Sequence, residues 1–249
     1  MGPAFLLKKN SSLKIIKNKI SSTGSEIKHL KNALLTAQDK TLDLKEKMTD
    51  SLSNEEIKIY DAHLEILKDP ELEKKTINFI KINSCNADYA IHVVTAEYTK
   101  ILNELGDPYI SARADDIIML SRMLILILQK KVENKITLNT PSIIVANSIT
   151  TNQLSSIDTS LVLGIITSHG GPTDHVAILS KALGIPSLVG LAKSISKIKA
   201  GSLLIIDSAK GQLIWNPSTF YIKKYDSLML KEKHESSIQL KKSHDSVTT

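Results

Sequence analysis

The strongest constraint in this 249-residue chain is a stretch without glycine that runs from residue 25 to residue 105. Apolar residues recur in it at helical spacing, as in Ile27, Leu30 and Leu34, which predicts helices. Strand-like sequence stands before and after it. The stretch therefore predicts an all-α bundle inserted into a layer of another kind.

Several helix boundaries can be predicted inside this stretch. Ser53 before acidic residues offers a helix N-cap, and Asp69 before Pro70 offers a cap followed by a proline in the first turn. A further amphipathic helix is predicted over 86–105 and a last one from residue 107 to about residue 131. These boundaries divide the predicted bundle into several helices.

The second half of the chain changes to short apolar runs, which are typical of buried strands. They cover residues 142–146, 162–167, 185–190, 203–207 and 212–217. Helical sequence fits between them, which predicts an α/β layer. Residues 1–9 form another strand-like run that we expect to join this layer. Because that run starts abruptly, we also expect a preceding segment to be missing.

Composition excludes several function classes. The only cysteine is Cys85, so a disulfide within the chain and a multi-cysteine zinc site are excluded. The net charge is +6, but the basic residues are almost all lysines interleaved with acids, which indicates a solvated surface and no nucleic-acid partner. No apolar run approaches the roughly 20 residues of a membrane span. We expect a cytoplasmic protein without a membrane partner.

The segment with the clearest chemistry is Gly-Gly-Pro-Thr-Asp-His at 170–175. It follows a strand that ends at Thr167, and Thr173 is placed to cap a helix over 174–183. This puts His175 in the first helical turn, where free backbone N–H groups and the helix dipole favour an anion.

The same position suits both states of a phosphoryl carrier. The dipole disfavours the imidazolium, which helps to keep His175 a neutral nucleophile. Gly170 and Gly171 let backbone amides approach phosphate oxygens closely. We therefore predict that His175 carries a phosphoryl group. A purely structural strand–turn–helix with a polar cap is the alternative.

The string Gly-Gly-x-Thr-x-His, with the helix after it and Leu-Gly-Ile-Pro-Ser-Leu-Val-Gly at 183–190, resembles the phosphohistidine domain of the phosphoenolpyruvate-utilising enzymes. Residues 59–72 and 107–117 resemble the helical part of one member, Enzyme I of the bacterial sugar phosphotransferase system, and 2–5 resemble its opening segment. The resemblance covers about 1–245.

This resemblance implies the fold and its divisions. An α/β phosphohistidine (swivelling β/β/α) domain would be formed by 1–18 and 132–217. An inserted all-α helical-bundle subdomain would cover 19–131 and bind a partner protein. A linker helix and polar tail would follow over 218–249.

It also implies a function. In Enzyme I an active-site histidine takes a phosphoryl group from phosphoenolpyruvate and passes it to the carrier protein HPr in sugar uptake. By resemblance, His175 is that phosphohistidine, modified on the ring nitrogen remote from the backbone. Thr150 contacts the ring through its hydroxyl, and Gly170, Gly171 and Thr173 complete the site. The positions that match the HPr-binding face are His63, Asp69, Glu71, Leu72, Tyr109 and Arg113.

Full-length Enzyme I continues into a (β/α)₈ barrel that binds phosphoenolpyruvate and Mg²⁺. The sequence shows no metal-ligand cluster, so we expect no metal or cofactor in this chain and Mg²⁺ only in the barrel, supplied in cis or in trans. The chain alone is then not expected to use phosphoenolpyruvate. Enzyme I dimerises through the barrel, so a monomer is expected.

Departures from the family pattern leave alternatives open. Asp174 replaces the usual serine before the active histidine, Lys181 replaces a common arginine, and Ile118 and Met119 stand where arginine and aspartate are usual. One alternative is a partner-binding remnant of Enzyme I without catalysis. Another is a phosphohistidine domain of the dikinase type, although dikinases lack this helical insertion.

Overall fold

The computed structural model describes residues 1–7, 13–50, 52–132, 135–171 and 175–231. Helices dominate the first half and strands the second. The elements in chain order are β1 (Gly2–Leu6), α1 (Thr23–Met48), α2 (Asn54–Leu67), α3 (Pro70–Asn83), α4 (Ala87–Glu104), α5 (Pro108–Leu128), β2 (Ser142–Ala146), α6 (Thr151–Ser155), β3 (Val162–Thr167), α7 (His175–Ala182), β4 (Ser187–Leu188), β5 (Leu203–Asp207) and β6 (Gln212–Trp215).

The six strands form one mixed sheet in the order β4-β3-β2-β1-β5-β6. Strand β1 pairs in parallel with β2, where Ala4 lies opposite Ile143, and antiparallel with β5, where Gly2 lies opposite Leu204. The prediction that the N-terminal run joins the sheet is confirmed. Because β1 and β2 are neighbours, helices α1–α5 are inserted between two adjacent strands.

Strand β2 is buried on both faces. Ile144 and Ala146 belong to one hydrophobic cluster, whereas Ile143 and Val145 belong to another on the opposite face of the sheet. Burying one such aliphatic side chain contributes about 1.5–3 kcal/mol. This two-sided burial explains why the strand is a continuous apolar run instead of an alternating one.

The helix starts follow the predicted caps. The Ser53 side chain accepts from the backbone N–H of Glu56, and the Glu56 carboxylate accepts from the backbone N–H of Ser53 at 2.8 Å, which is a complete capping box. The Asp69 carboxylate accepts from the backbone N–H of Glu71 at 2.8 Å, and Pro70 is the first helical residue. Both predicted helix starts are confirmed.

Residues 13–22, the linking segment, run from the sheet side into the bundle. Asn86 at the start of α4 fixes this segment with its side-chain amide: its Oδ1 accepts from the backbone N–H of Asn18 at 2.7 Å, and its Nδ2 donates to the carbonyl of Ile16 at 2.9 Å. Cys85, fully buried beside Asn86, forms an isolated bridge with the same segment.

One hydrophobic cluster, the seam, contains residues of both the bundle and the α/β layer. Its bundle members are Leu44, Met48, Leu52 and Tyr60, and its α/β members include Ile144, Ile149, Leu154, Ile165, Val176 and Leu179. The Tyr60 hydroxyl also lies 3.4 Å from Ser155 Oγ of α6. A second cluster lies wholly within residues 13–128. The bundle therefore has a core of its own and a shared one.

Some boundaries differ from the prediction. The run at 185–190 forms only the two-residue strand β4, because Gly190 adopts a positive φ of 74° that ends the extended backbone. Residues 219–231 are helical, and the predicted tail from 232 onward lies outside the described residues. Among the described residues, no helix is both long and apolar enough to span a bilayer.

Candidate functional site

The candidate site starts where β3 ends at Thr167. Gly170 has φ of 108°, a conformation that favours glycine. The described part of helix α7 runs from His175 to Ala182, inside the predicted helix over 174–183. Residues 172–174 lie outside the described residues, so the predicted cap by Thr173 and the predicted effect of Asp174 stay predictions.

Gly190 packs closely against the backbone of this turn. A Cβ built on Gly190 would lie 2.7 Å from the carbonyl oxygen of Gly170, and the backbone there has φ of 74°. A side chain at 190 would therefore displace the backbone of the turn. In the sequence, Gly190 ends the segment 183–190 that resembles the family, and this close approach is not visible there.

His175 is one quarter exposed, and its Nδ1 lies 3.3 Å from Oδ1 of Asp116 on α5. The Asp116 side chain is only 8% exposed, and its other oxygen, Oδ2, lies 3.8 Å from a guanidinium nitrogen of Arg113. The imidazole of His175 in the α/β layer thus lies against a carboxylate of the helical bundle.

A second imidazole faces the same carboxylate. His63 on α2 is 2% exposed, and its Nε2 lies 3.5 Å from Asp116 Oδ1. Its ring packs edge-on against the ring of His175, with centroids 5.2 Å apart. Among the described residues, no group forms a hydrogen bond with His63 Nε2. His63, Asp116 and His175 form what we call the His–Asp–His cluster.

The cluster borders a cleft of about 490 Å³ between the bundle and the α/β layer. Of the predicted site residues, Thr150, Gly170, Gly171 and His175 all line it. The Thr150 hydroxyl caps α6 by accepting from the backbone N–H of Gln153 at 3.1 Å. The structure thus brings Thr150 and His175 to one cleft, and the predicted contact of the hydroxyl with the ring stays a prediction.

The predicted partner face is only partly a surface. The side chains of His63 and Leu72 are only 2% and 5% exposed, so neither offers a surface in this structure, and their part in partner binding stays a prediction. Asp69 and Glu71 are exposed at the start of α3, and Arg113 is 41% exposed. The Tyr109 side chain lies outside what the structure describes.

The candidate site residue that sequence reasoning missed is Asp116. It stands in the string 107–117 that carried part of the resemblance, but it was given no role. Its signal is its spacing: Asp116, Leu120 and Leu124 follow one another at intervals of four on the buried face of α5. A carboxylate in line with buried leucines needs a buried partner, and the two histidines supply it.

The expectation of no metal-ligand cluster also missed this arrangement. His63 and His175 are 112 positions apart in the numbering, and three helices bring their nitrogens together with Asp116. Sequence spacing alone gives no sign of such a set.

Comparison with known proteins gives a consistent result. The family "PEP-utilising enzyme, N-terminal" matches residues 1–113, and "PEP-utilising enzyme, mobile domain" matches residues 138–211. The phosphoenolpyruvate-protein phosphotransferase of Mycoplasma capricolum is 30% identical over 96% of this chain, and that of Buchnera aphidicola is 31% identical over 91%. The chain spans 42% and 41% of the length of these relatives.

Solved structures agree with the fold. A solution NMR structure of Enzyme I, nEIt, has 32% sequence identity and a TM-score of 0.70, with 94% of each chain covered. A structure described as the N-terminal domain of Enzyme 1 - Nitrogen has 20% identity and a TM-score of 0.59, with 91% of this chain and 93% of that chain covered. At that identity the second likeness concerns the fold alone.

Proposed function

Since the chain belongs to the Enzyme I family of phosphoenolpyruvate-utilising enzymes, matching its N-terminal part, we propose that it relays a phosphoryl group through His175. The donor is phosphoenolpyruvate held by a barrel domain in cis or in trans, and the acceptor is HPr. The family's relatives are named for this phosphotransfer. The proposed role places the chain in the cytoplasm.

The proposed chemistry has two steps. In the first, Nε2 of His175 attacks phosphorus, an N–P bond forms, and the P–O bond to the enol breaks to leave pyruvate after protonation. In the second, a ring nitrogen of HPr attacks the same phosphorus and the N–P bond to His175 breaks. Each step replaces one bond to phosphorus by another, so the exchange with HPr is reversible.

One observation carries the proposal: the 3.3 Å approach of Asp116 Oδ1 to His175 Nδ1 at the border of the cleft. A carboxylate at Nδ1 favours the tautomer with the proton on Nδ1, so the lone pair of the imidazole lies on Nε2. The attacking nitrogen is then the one remote from the backbone. Asp116 acts here as a positioning residue that fixes the ring and its tautomer.

The surroundings of His175 support a phosphorylated state. The ring belongs to the first described residue of α7, and near the N-terminal end of a helix the backbone N–H groups and the helix dipole favour a negative group. Gly170 and Gly171 line the same cleft. Because glycine has no side chain, an incoming phosphate can approach the backbone at both positions. The cleft also reaches the bundle, on which we place HPr.

The proposal is tested by incubating the chain with ³²P-labelled phospho-HPr and measuring acid-labile label. We expect transfer to the unaltered chain, no transfer to His175→Ala, and transfer at the unaltered rate to the control His92→Ala, which changes an exposed histidine on α4. Label on His175→Ala would overturn the assignment. With phosphoenolpyruvate and Mg²⁺ alone, without a barrel domain, we expect no label.

Asp116→Asn tests the positioning role in the same assay. The amide keeps the shape of the side chain but removes the charge that orients the Nδ1 proton, so we expect a transfer rate at least about tenfold lower, equivalent to ~1.4 kcal/mol. Circular dichroism should show an unchanged helix content. An unchanged rate would contradict the positioning role and leave His175 as the carrier.

A non-catalytic partner-binding role is the second candidate. Ile118, which borders the cleft where the family usually has arginine, is 53% exposed and makes this face less polar. Binding of HPr with no phosphoryl transfer to an intact His175 would favour that candidate. A dikinase-type domain is disfavoured, because helices α1–α5 are the insertion that dikinases lack.

A further inference from the structure

The most unusual polar group in the described structure is the imidazole of His63. Its side chain is 2% exposed, and none of the described residues gives its Nε2 a hydrogen bond. A buried nitrogen that forms no hydrogen bond is unfavourable, and the 3.5 Å approach to Asp116 leaves room for a bound ion or water between the two groups. The atom faces Asp116 Oδ1, which lies 3.5 Å away at the border of the cleft.

The distances around that carboxylate oxygen suit a metal ion. Asp116 Oδ1 lies 3.5 Å from His63 Nε2 and 3.3 Å from His175 Nδ1, and all three atoms lie within 4.8 Å of one another. In a tetrahedral zinc site with bonds of about 2.0–2.1 Å, neighbouring ligand atoms are roughly 3.3–3.4 Å apart. Two of the three distances between these ligand atoms therefore already match a tetrahedral site.

We propose that the His–Asp–His cluster is a binding site for Zn²⁺, with His63 Nε2, Asp116 Oδ1 and His175 Nδ1 as ligands. Two imidazoles and one carboxylate favour zinc and similar transition metals over Mg²⁺, which requires an octahedral set of oxygens. A water from the adjoining cleft completes the tetrahedron. The site is distinct in chemistry from the Mg²⁺ expected with phosphoenolpyruvate.

The surroundings are compatible with a cation. The guanidinium of Arg113 lies 3.8 Å from the other carboxylate oxygen, Oδ2, and its side chain is 41% exposed to solvent. Oδ1 therefore stays available, and the guanidinium orients the carboxylate as outer-sphere partners of metal ligands do. His175 is one quarter exposed, so an ion can enter from the cleft.

Binding requires one adjustment. His63 and Asp116 are buried in the bundle, whereas His175 starts α7 on the α/β side. The remaining distance, between the two histidine nitrogens, shortens when the His175 ring moves toward His63. A bound ion would then join α2, α5 and α7, and so clamp the bundle to the α/β layer.

The consequence rests on the proposed function. Zinc on Nδ1 replaces the proton there and withdraws electron density from the ring, which makes Nε2 a weaker nucleophile. The clamp also restrains the ring that must reach donor and acceptor. Zinc bound at this site therefore inhibits phosphoryl transfer through His175 reversibly.

The binding test uses the full unphosphorylated chain and Co²⁺, whose visible absorption reports tetrahedral nitrogen and oxygen ligands. We expect one Co²⁺ per chain, displaced by one Zn²⁺, with affinity at least tenfold lower in His63→Gln and in Asp116→Asn. The matched control His29→Gln removes an exposed histidine beside Glu26 and should bind as the unaltered chain does.

The results decide between clear alternatives. An octahedral spectrum, several weak ions per chain, or equal binding by the unaltered chain and Asp116→Asn means adventitious binding to surface histidines only and overturns the site. If His63→Gln fails to fold, as judged by circular dichroism, Asp116→Asn and the spectrum of the unaltered chain still decide the question.

A second measurement separates this inference from the proposed function. In the phospho-HPr assay we expect Zn²⁺ to slow transfer at least tenfold, a chelator to restore it, and His63→Gln to lose zinc sensitivity relative to its own metal-free rate. Zinc binding without any phosphoryl transfer in the absence of metal would contradict the proposed function and still support the zinc site. Metal-free transfer with no tetrahedral Co²⁺ would do the reverse.

Discussion

At the scale of single residues, one oxygen atom organises the site. Asp116 Oδ1 lies within 3.5 Å of two imidazole nitrogens that belong to two other helices. A small rotation of this one carboxylate would change both contacts together. The ring of His175, the bundle and the cleft are therefore linked through a single side chain.

Gly190 gives a prediction at this scale. We expect Gly190→Ala to lower the free energy of unfolding by about 2–4 kcal/mol, because alanine would adopt a left-handed conformation and its Cβ would press on the carbonyl of Gly170. Urea unfolding followed by circular dichroism measures the change. The same variant should also slow transfer from phospho-HPr, since the Gly170 turn is displaced.

The matched control is Gly184→Ala. Gly184 has a similar positive φ of 67°, but nothing lies within 4 Å of the Cβ that alanine would add. It should lose only the conformational cost, about 1–2 kcal/mol. Equal losses for both variants would show that the contact between residues 190 and 170 is unimportant.

Residue-level prediction from sequence succeeded where the signal is local. His175 was predicted to lie in a helix that follows a strand and a Gly-Gly turn, and the structure describes α7 from His175 onward. The approach of His63 to His175 has no such signal, since it depends on how α2 packs against α7. The burial of Leu72 was missed for the same reason, because a match to a family position does not give exposure.

At the scale of elements, the linking segment gives a second prediction. Asn86→Ala removes the side-chain bonds to Asn18 and Ile16 and should cost about 1 kcal/mol, since both bonds are exposed. Asn86 makes no side-chain cap bond to the backbone of α4, although its Nδ2 also contacts the Asp88 carboxylate in the first turn of that helix, so the loss falls mainly on the segment.

Hydrogen exchange checks this prediction locally. The backbone amide of Asn18 should exchange faster in Asn86→Ala, while the amides of the buried turn of α4 around Ile91 keep their rates relative to global unfolding. Asn103→Ala, at an exposed position near the end of α4, serves as the control. Uniform acceleration of all amides would contradict the role of Asn86 in holding the segment.

Element boundaries were predictable where capping chemistry fixes them. Ser53 and Asp69 start helices in the sequence and in the structure, because side-chain oxygens close to the free N–H groups are a local device. Strand β4 was predicted too long, because the apolar run continues to Gly190, whose positive φ is not visible in the sequence. Local chemistry thus predicts where elements start better than where they end.

At the scale of the whole molecule, the seam predicts cooperative unfolding. Trp215 in β6 and Cys85 in the bundle are the only tryptophan and the only cysteine, one in each part. Fluorescence of Trp215 and reactivity of the Cys85 thiol should give coincident urea midpoints. Burial raises the pKa of that thiol, so its reaction in the folded state should be slow.

Ile80→Ala sharpens this test. Ile80 is fully buried in the cluster that lies within the bundle, so its truncation should cost about 2–5 kcal/mol. If the seam couples the two parts, the Trp215 transition moves by as much as the Cys85 transition. A shift seen only with Cys85 would show that the bundle unfolds by itself.

The seam also has a consequence for the history of the protein. Leu44 and Met48 on one side pack with Ile149 and Leu154 on the other, so a change of volume on one side is tolerated best when a neighbour across the seam changes in compensation. Related chains should therefore show paired substitutions at these positions. The insertion and the layer that carries it thus restrict each other's substitutions wherever their side chains share this cluster.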